Sequence, residues 1–177
     1  MSETAATLRL FFALWPDSAL QGALAAWAKQ AAGRGRAMRR ENLHLTLAFL
    51  GATEAALVPD LIALASGVRY APIRLPLDRV GYWKHNRIIW CGASEEPSML
   101  TSLVEDLRAR LDASGIHYDR KPFVSHITLV RDASSLPAVP AWQPLVWEAS
   151  DFALVGSARV DGRVVYQVLQ RFPAQAG

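Results

Sequence analysis

Hydrophobic residues recur along the chain at two spacings, every second residue over short stretches and every third or fourth residue over longer ones. The first spacing is typical of strands and the second of amphipathic helices. In the first half they predict a strand over 7–14, a helix that Asp17 or Ser18 starts and Gly33 stops, a strand over 43–50, a helix over 54–66 and a strand over 73–83. The second half is predicted to hold a strand over 87–92 after a turn at 84–86, a helix over 100–111, a strand over 123–130, a proline-containing loop over 132–144 and strands over 147–155 and 164–172. This mixture predicts an α+β fold.

Two stretches of the chain share one order of predicted elements. Residues 8–50 and 87–130 each run strand, helix, strand. The second strand of each stretch carries the same pattern, His44-Leu45-Thr46-Leu47 in one and His126-Ile127-Thr128-Leu129 in the other. This internal repeat predicts two similar lobes within a single domain over 1–177, with the motif strands near 43–50 and 123–130.

The duplicated pattern has a chemical meaning. Side chains alternate between the faces of a strand, so His44 and Thr46 point one way, as do His126 and Thr128, whereas Phe49 is expected on the opposite, core-facing side. One imidazole can take a proton from water while another protonates a leaving oxygen, because imidazole titrates near neutral pH. Hydroxyls can donate hydrogen bonds to phosphate oxygens. A single histidine on a strand is more often structural, but its duplication together with threonine favours catalysis.

Composition narrows the classes of function. The chain has 177 residues, 51% hydrophobic and 20% charged, which indicates a folded protein. Nineteen Lys and Arg residues against sixteen Asp and Glu residues give a net charge of +3, which suits an anionic ligand. Cys91 is the sole cysteine, so an intramolecular disulfide and a cysteine-rich zinc site are excluded and a reducing compartment is favoured.

Several other classes lack their usual signals. No segment reaches the roughly 18 apolar residues of a membrane span, and the start of the chain does not read as a signal peptide, so we expect a cytoplasmic protein with no membrane partner. No glycine-rich phosphate loop, histidine and cysteine metal cluster or Gly-x-Ser-x-Gly elbow is present in the sequence, so no metal or cofactor is expected.

Specific blocks of the sequence resemble a known family. The two His-x-Thr-Leu patterns and the segments 9–14, 41–51 and 121–131 are similar to the 2H phosphoesterase superfamily, and within it to the bacterial RNA 2′,3′-cyclic phosphodiesterases, also called 2′-5′ RNA ligases. The likeness covers nearly the whole chain. Ser125 and Lys121 stand where many members carry proline and arginine, and neither departure removes a catalytic group.

The resemblance implies a bilobal fold with pseudo-twofold symmetry, in which two antiparallel sheets line a central cleft and helices pack outside. It implies metal-independent hydrolysis of a terminal RNA 2′,3′-cyclic phosphate to a 2′-phosphate, with the reverse 2′-5′ joining reaction open to the same groups. His44 would be the proton donor and His126 the proton acceptor, and Thr46, Thr128 and Arg131 would bind the phosphate. The partner would be an RNA end, for example of a tRNA fragment, and the protein a monomer with no protein partner.

Other interpretations stay open from the sequence. The chain could be a non-catalytic module that binds RNA ends, or a phosphodiesterase for a small cyclic nucleotide or ADP-ribose 1″,2″-cyclic phosphate. Four cations could border the cleft and attract RNA phosphates, although a surface role is at least as common for each: Arg39, Arg40, Arg120 and Lys121. Tyr82 and Trp83 could stack on a base, although packing in the core is the more common role of such residues.

Overall fold

The computed structural model describes residues 6–175. The helices in this part of the chain are α1 (Ser18–Ala31), α2 (Val58–Ser66) and α3 (Ser98–Ala113), with short 3₁₀ turns at Arg40–Asn42 and Ala55–Leu57. The strands are β1 (Thr7–Leu14), β2 (Arg36–Ala37), β3 (Leu45–Glu54), β4 (Ile73–Leu77), β5 (Arg79–Trp83), β6 (Ile88–Gly92), β7 (Ile127–Arg131), β8 (Leu145–Ala149), β9 (Asp151–Val160) and β10 (Arg163–Pro173). No helix in the described residues is long and apolar enough to span a membrane.

The strands form two antiparallel sheets. The larger has the order β10-β9-β1-β3-β7-β6-β5, with β2 also paired to β7, and the smaller consists of β4 and β8. The two motif strands, β3 and β7, lie side by side in the larger sheet and meet at one residue pair, Leu45 and Ile127. Helix α1 connects β1 to β3, and α3 connects β6 to β7. The predicted α+β class and the strand-helix-strand order of both segments are therefore confirmed.

The core lies on one face of the larger sheet. In β1, Leu10, Phe12 and Leu14 belong to the main core, which also takes the apolar sides of the helices and of the smaller sheet. The alternate residues Phe11 and Ala13 point to the opposite face, where they form a small second cluster. The larger sheet thus has a covered face and a more open face, and the open face carries the histidines.

Bulges in β3 overturn the prediction that Phe49 faces the core. The pairing of β1 with β3 skips Leu47, because Ala13 lies opposite Thr46 and the preceding Phe12 lies opposite Ala48. An extra residue in one strand shifts the alternation of side chains by one position. Phe49 therefore joins Thr46 on the open face and packs against the cluster that contains Phe11.

Three predicted strands have different bounds in the structure. The strand predicted over 123–130 begins at Ile127, because the ladder to β6 ends with the pair of Cys91 and Ile127 and no pairing extends to the residues before it. The strand predicted over 73–83 is split at Asp78, whose carboxylate accepts hydrogen bonds from Ser94 while β4 and β5 join different sheets. The strand predicted over 147–155 is split at Ser150 for the same reason, because β8 pairs with β4 and β9 pairs with β1.

The remaining differences concern α2, β3 and a missed strand. The helix predicted over 54–66 starts only at Val58, with Pro59 in its first turn, and a 3₁₀ turn at Ala55–Leu57 precedes it. The strand predicted over 43–50 runs from Leu45 to Glu54, because Gly51, with φ of +70°, lets the chain pass a second bulge and continue pairing with β1. Strand β2 has only two residues, which is too short for a periodic pattern to predict.

Candidate active site

His44 lies directly before β3, after the 3₁₀ turn at Arg40–Asn42. Its Nδ1 is 2.7 Å from the carbonyl oxygen of Asn42, and its Nε2 is 3.1 Å from the hydroxyl of Thr46. A carbonyl only accepts hydrogen bonds, so Nδ1 carries the proton, and in the neutral ring Nε2 is the unprotonated nitrogen that accepts from Thr46. The contact to Asn42 therefore fixes both the tautomer and the orientation of the ring.

His126 repeats this arrangement before β7. Its Nδ1 is 2.9 Å from the carbonyl oxygen of Val124, again two residues earlier in the chain. The neutral ring thus also keeps its proton on Nδ1 and leaves Nε2 as a base. Each copy of the repeat therefore supplies one imidazole, and both imidazoles are in the same tautomer.

Aromatic rings contact both histidines. Trp15 stacks on His44 with ring centroids 5.3 Å apart and planes 8° apart. Phe11 and the edge of Tyr166 contact the same imidazole at 4.8 and 5.2 Å. Trp83 meets His126 edge to face at 4.7 Å. These rings restrict the motion of the imidazoles and remove water from around them.

Burial keeps both imidazoles neutral. It lowers the pKa of His44 from 6.5 to about 4, against the opposing effect of the hydrogen bond to Asn42, and the charges of Arg131 and His126 lower it further. Burial also lowers the pKa of His126, again against its backbone hydrogen bond and with a contribution from Arg131. In the unliganded protein at neutral pH, both Nε2 atoms are therefore unprotonated.

The five residues singled out from the sequence line one cavity of about 270 Å³: His44, Thr46, His126, Thr128 and Arg131. The other lining residues are Arg9, Phe11, Met38, Asn42, Phe49, Ile88, Ser157 and Tyr166. Every lining residue that lies in a strand belongs to the larger sheet. The lining strands come from both halves of this sheet, β10-β9-β1-β3 and β7-β6-β5, which within the described residues are joined only at the pair of Leu45 and Ile127.

Sequence reasoning missed several residues of this cavity. Arg9 lies on the open face of β1, and its position inside an otherwise apolar stretch was a usable signal. Asn42 is buried, orients His44 through its carbonyl and donates from its side chain to the carbonyl of Val164 at 3.2 Å. Ser157 and Tyr166 come from the β9–β10 hairpin, and no local pattern marks them.

Of the residues expected to border the cleft, most have other partners. Arg40 donates to the backbone and side chain of Ser18 at 2.6 Å. Arg120 pairs with Asp112 at 2.6 Å, and Lys121 pairs with Asp119 at 3.7 Å. None of these three cations lines the cavity.

The other three residues expected to border the cleft, Arg39, Tyr82 and Trp83, differ in their positions relative to the cavity. Arg39 lines a second, larger cavity that adjoins the first. Tyr82 donates its hydroxyl to the carbonyl of Ala133 at 3.0 Å. Trp83 contacts His126, so it reaches the site as a neighbour of the imidazole.

Comparisons with known proteins agree with this geometry. A family model described as LigT like Phosphoesterase matches residues 14–90. An RNA 2′,3′-cyclic phosphodiesterase of Escherichia coli K12 is 34% identical, with 93% of this chain and 95% of the relative covered. This chain belongs to the LigT-like, or 2H, phosphoesterase family. The family resemblance of the sequence is thereby confirmed.

A second relative and a solved structure support the assignment. An RNA 2′,3′-cyclic phosphodiesterase of Thermus thermophilus is also 34% identical, over 93% of this chain and 89% of the relative. The crystal structure of E. coli LigT complexed with 3′-AMP matches with a TM-score of 0.85 and 34% identity, covering 97% of this chain and 100% of that one. The likeness to the 2H phosphoesterases therefore extends from sequence to the whole fold.

The geometry of this 2H phosphoesterase suits proton transfer at an anionic centre. Two unprotonated imidazole nitrogens, two hydroxyls and the guanidinium groups of Arg9 and Arg131 share one small cavity. In the described part of the chain, no group of three or more His, Cys, Asp or Glu residues is arranged to hold a metal ion. Side chains of this kind can bind a phosphate, deprotonate a water and protonate a leaving oxygen.

Proposed function

We propose that the protein hydrolyses the terminal 2′,3′-cyclic phosphate of an RNA to a 2′-phosphate. The observation that carries this proposal is the pair His44 and His126, each with Nδ1 held by a backbone carbonyl and each lining the same cavity. The names of the relatives support the choice of RNA and of the cyclic phosphate. Because each copy of the repeat supplies one histidine, we propose that the two lobes act as one functional unit.

Each histidine has a distinct role in the proposed reaction. His126 accepts a proton from water through Nε2, and the water oxygen forms a bond to phosphorus. The bond from phosphorus to the ribose 3′ oxygen breaks, and His44 donates its Nε2 proton to that oxygen. The product carries a 2′-phosphate and a free 3′ hydroxyl, and exchange of protons with solvent restores both imidazoles.

The low pKa of His44 makes proton donation depend on the substrate. With a pKa of about 4, this imidazole carries little proton at neutral pH in the unliganded protein. An anionic phosphate next to the ring favours the charged form and raises that pKa. We therefore propose that binding of the cyclic phosphate causes His44 to take up a proton, so that this residue can act as an acid only when the substrate is bound.

The remaining polar groups stabilise charge on the phosphate. Thr46 and Thr128 are proposed to donate hydroxyl hydrogen bonds to its non-bridging oxygens, and Arg131 to donate guanidinium hydrogen bonds. Thr46 would exchange its contact with His44 for one with the phosphate, which releases Nε2 for proton transfer. The reverse reaction, in which a 5′ hydroxyl attacks in place of water, would use the same groups and form a 2′-5′ linkage.

The test is incubation of the protein with a short RNA ending in a 2′,3′-cyclic phosphate, in the presence of EDTA, with identification of the terminal phosphate. We expect a 2′-phosphate. His44→Ala and His126→Ala should each lower kcat by about 10²- to 10⁴-fold, the usual contribution of a general acid or base. His117→Ala is the control, because this exposed histidine does not line the cavity.

The alternatives predict other outcomes of the same experiment. An unchanged cyclic end with RNA bound would support the binding module, and turnover of a small cyclic nucleotide or of ADP-ribose 1″,2″-cyclic phosphate alone would support the small-molecule enzyme. Near-normal turnover in both alanine variants would refute the two-histidine mechanism. The expectations of a tRNA fragment as substrate, a monomer and a cytoplasmic location stay predictions.

A further inference from the structure

A second cavity opens directly from the one that holds the histidines. It measures about 890 Å³, more than three times the 270 Å³ of the inner cavity. Both are lined by Arg9, Arg131, Asn42 and Tyr166, so they form one continuous depression. A terminal phosphate between the histidines would leave this outer cavity free for whatever precedes it in the ligand.

The outer cavity, here called the arginine groove, is lined by six arginines: Arg9, Arg36, Arg39, Arg131, Arg159 and Arg163. Arg9 lies in β1, Arg36 in β2 and Arg39 two residues after β2. Arg131 lies in β7, and Arg159 and Arg163 lie in the β9–β10 hairpin. None of the described residues that line it is acidic. The groove thus concentrates positive charge in a protein whose net charge is only +3.

Most of this charge is available for a ligand. Arg36 pairs with Asp132 at 2.7 Å, and Arg39 pairs with Glu41 at 2.9 Å, both on the protein surface. Within residues 6–175, the other four arginines of the groove have no carboxylate partner. Exposed ion pairs contribute little, so a phosphate could displace the two carboxylates at small cost.

The hairpin that carries Arg159 and Arg163 is held in place relative to the histidines. The side chain of Asn42 donates to the carbonyl of Val164 in β10, and the backbone of Asn42 orients His44. Tyr166, farther along β10, contacts the His44 ring. These contacts therefore fix the positions of Arg159 and Arg163 relative to His44.

We propose that the arginine groove binds the phosphodiester backbone of the nucleotides that precede the cyclic phosphate, so that the enzyme prefers an RNA chain over a mononucleotide. This proposal rests on the proposed function and extends it to the substrate beyond its terminal nucleotide. Arg9 and Arg131 contact the terminal region, and Arg36, Arg39, Arg159 and Arg163 contact upstream phosphates. Bidentate arginine contacts fix the strand without reading its bases, so little base preference is expected.

The first measurement compares kcat/KM for a nucleoside 2′,3′-cyclic phosphate and for an eight-nucleotide RNA with the same cyclic end. We expect the octanucleotide to react at least tenfold more efficiently at low salt, with this advantage shrinking as KCl is raised. In the double variant Arg159→Gln/Arg163→Gln, the advantage should largely disappear, while kcat/KM for the mononucleotide stays within about twofold because neither arginine lines the inner cavity. Equal efficiency for both substrates in the unaltered protein would overturn the proposal.

The control removes the same charge elsewhere. Lys29 and Arg74 are exposed and line neither cavity, so Lys29→Gln/Arg74→Gln should retain the preference for the octanucleotide. An equal loss in both double variants would mean that net charge, and not the groove, attracts RNA. That result would also overturn the proposal.

Binding tests the groove independently of catalysis. Fluorescence anisotropy with a labelled octanucleotide ending in a 2′-phosphate gives the slope of log Kd against log KCl concentration. The slope should fall by about 1.4 in Arg159→Gln/Arg163→Gln, because each phosphate contact to a single strand contributes about 0.7. An unchanged slope, or tighter binding of ATP than of the octanucleotide, would refute the groove as an RNA track. Absence of hydrolysis with the slope change intact would refute the proposed function alone.

Discussion

Lowering the pH from about 7.5 to about 5 should destabilise the fold through His44. Contacts with Trp15, Phe11 and Tyr166 bury this imidazole, and its pKa is about 4 in the folded protein against 6.5 for an exposed ring. The unfolded chain therefore takes up the proton near pH 6.5, and the folded protein only near pH 4. As a result, stability is complete above pH 6.5 and falls as the pH decreases from 6.5 towards 4.

The magnitude follows from the two pKa values. Each pKa unit between the folded and unfolded states corresponds to about 1.4 kcal/mol, so the full loss of stability, reached below pH 4, is about 3 kcal/mol. At about pH 5 the cost is about 2 kcal/mol, since the unfolded ring is almost fully protonated and the folded ring is not. This pH lies above the range in which most carboxylates titrate.

The assay is urea denaturation at both pH values for the unaltered protein and for His44→Gln. Glutamine has no charge to gain, so the variant should lose about 2 kcal/mol less stability than the unaltered protein between the two pH values, whatever its absolute stability. His117→Gln, on an exposed residue that does not line the cavity, should behave like the unaltered protein. The reasoning would be refuted if His44→Gln lost as much stability as the unaltered protein.

Three further predictions concern the site and its support. Thr46→Val and Thr128→Val should each lower kcat on cyclic-phosphate RNA by about 10²- to 10³-fold, as expected for loss of one donor to developing charge, and a loss below threefold would contradict their phosphate role. Arg131→Gln should raise the pKa of both His44 and His126 in an NMR titration, since its charge lowers both, and unchanged values would count against that cause. Gly81→Ala should destabilise the protein by about 1 to 3 kcal/mol in urea denaturation, because its new Cβ would overlap the Trp90 ring, and unaltered stability would show that the ring can move.

The local pattern of the sequence was enough to predict the elements next to His44 and His126. Apolar spacing predicts α1 and α3 closely because each has one apolar side against the main core, and it predicts β1 closely because this strand is buried on both faces over its second half. The repeated His-x-Thr pattern predicts the two histidines and two threonines of the site. Both histidines obtain their tautomer from a carbonyl two residues earlier, so their geometry is largely local.

The splitting of the predicted strands depended on pairing between distant parts of the chain. The segments over 73–83 and 147–155 have uninterrupted strand patterns, but their strands change partners at Asp78 and Ser150. Hydrophobic alternation indicates that a segment is extended but does not indicate which strand pairs with it. The inversion of Phe49 has the same origin, because the bulge exists only in the pairing with β1.

The sequence by itself determined the α+β fold class and the duplicated His-x-Thr pattern, because these follow from local periodicity and from a motif of a few consecutive residues. Only the tertiary structure decided which residues complete the cavity and the arginine groove. Arg9, Ser157 and Tyr166 reach His44 and Arg131 because β1, β9 and β10 assemble beside β3 in one sheet. Such proximity arises from long-range strand order, which no local pattern contains.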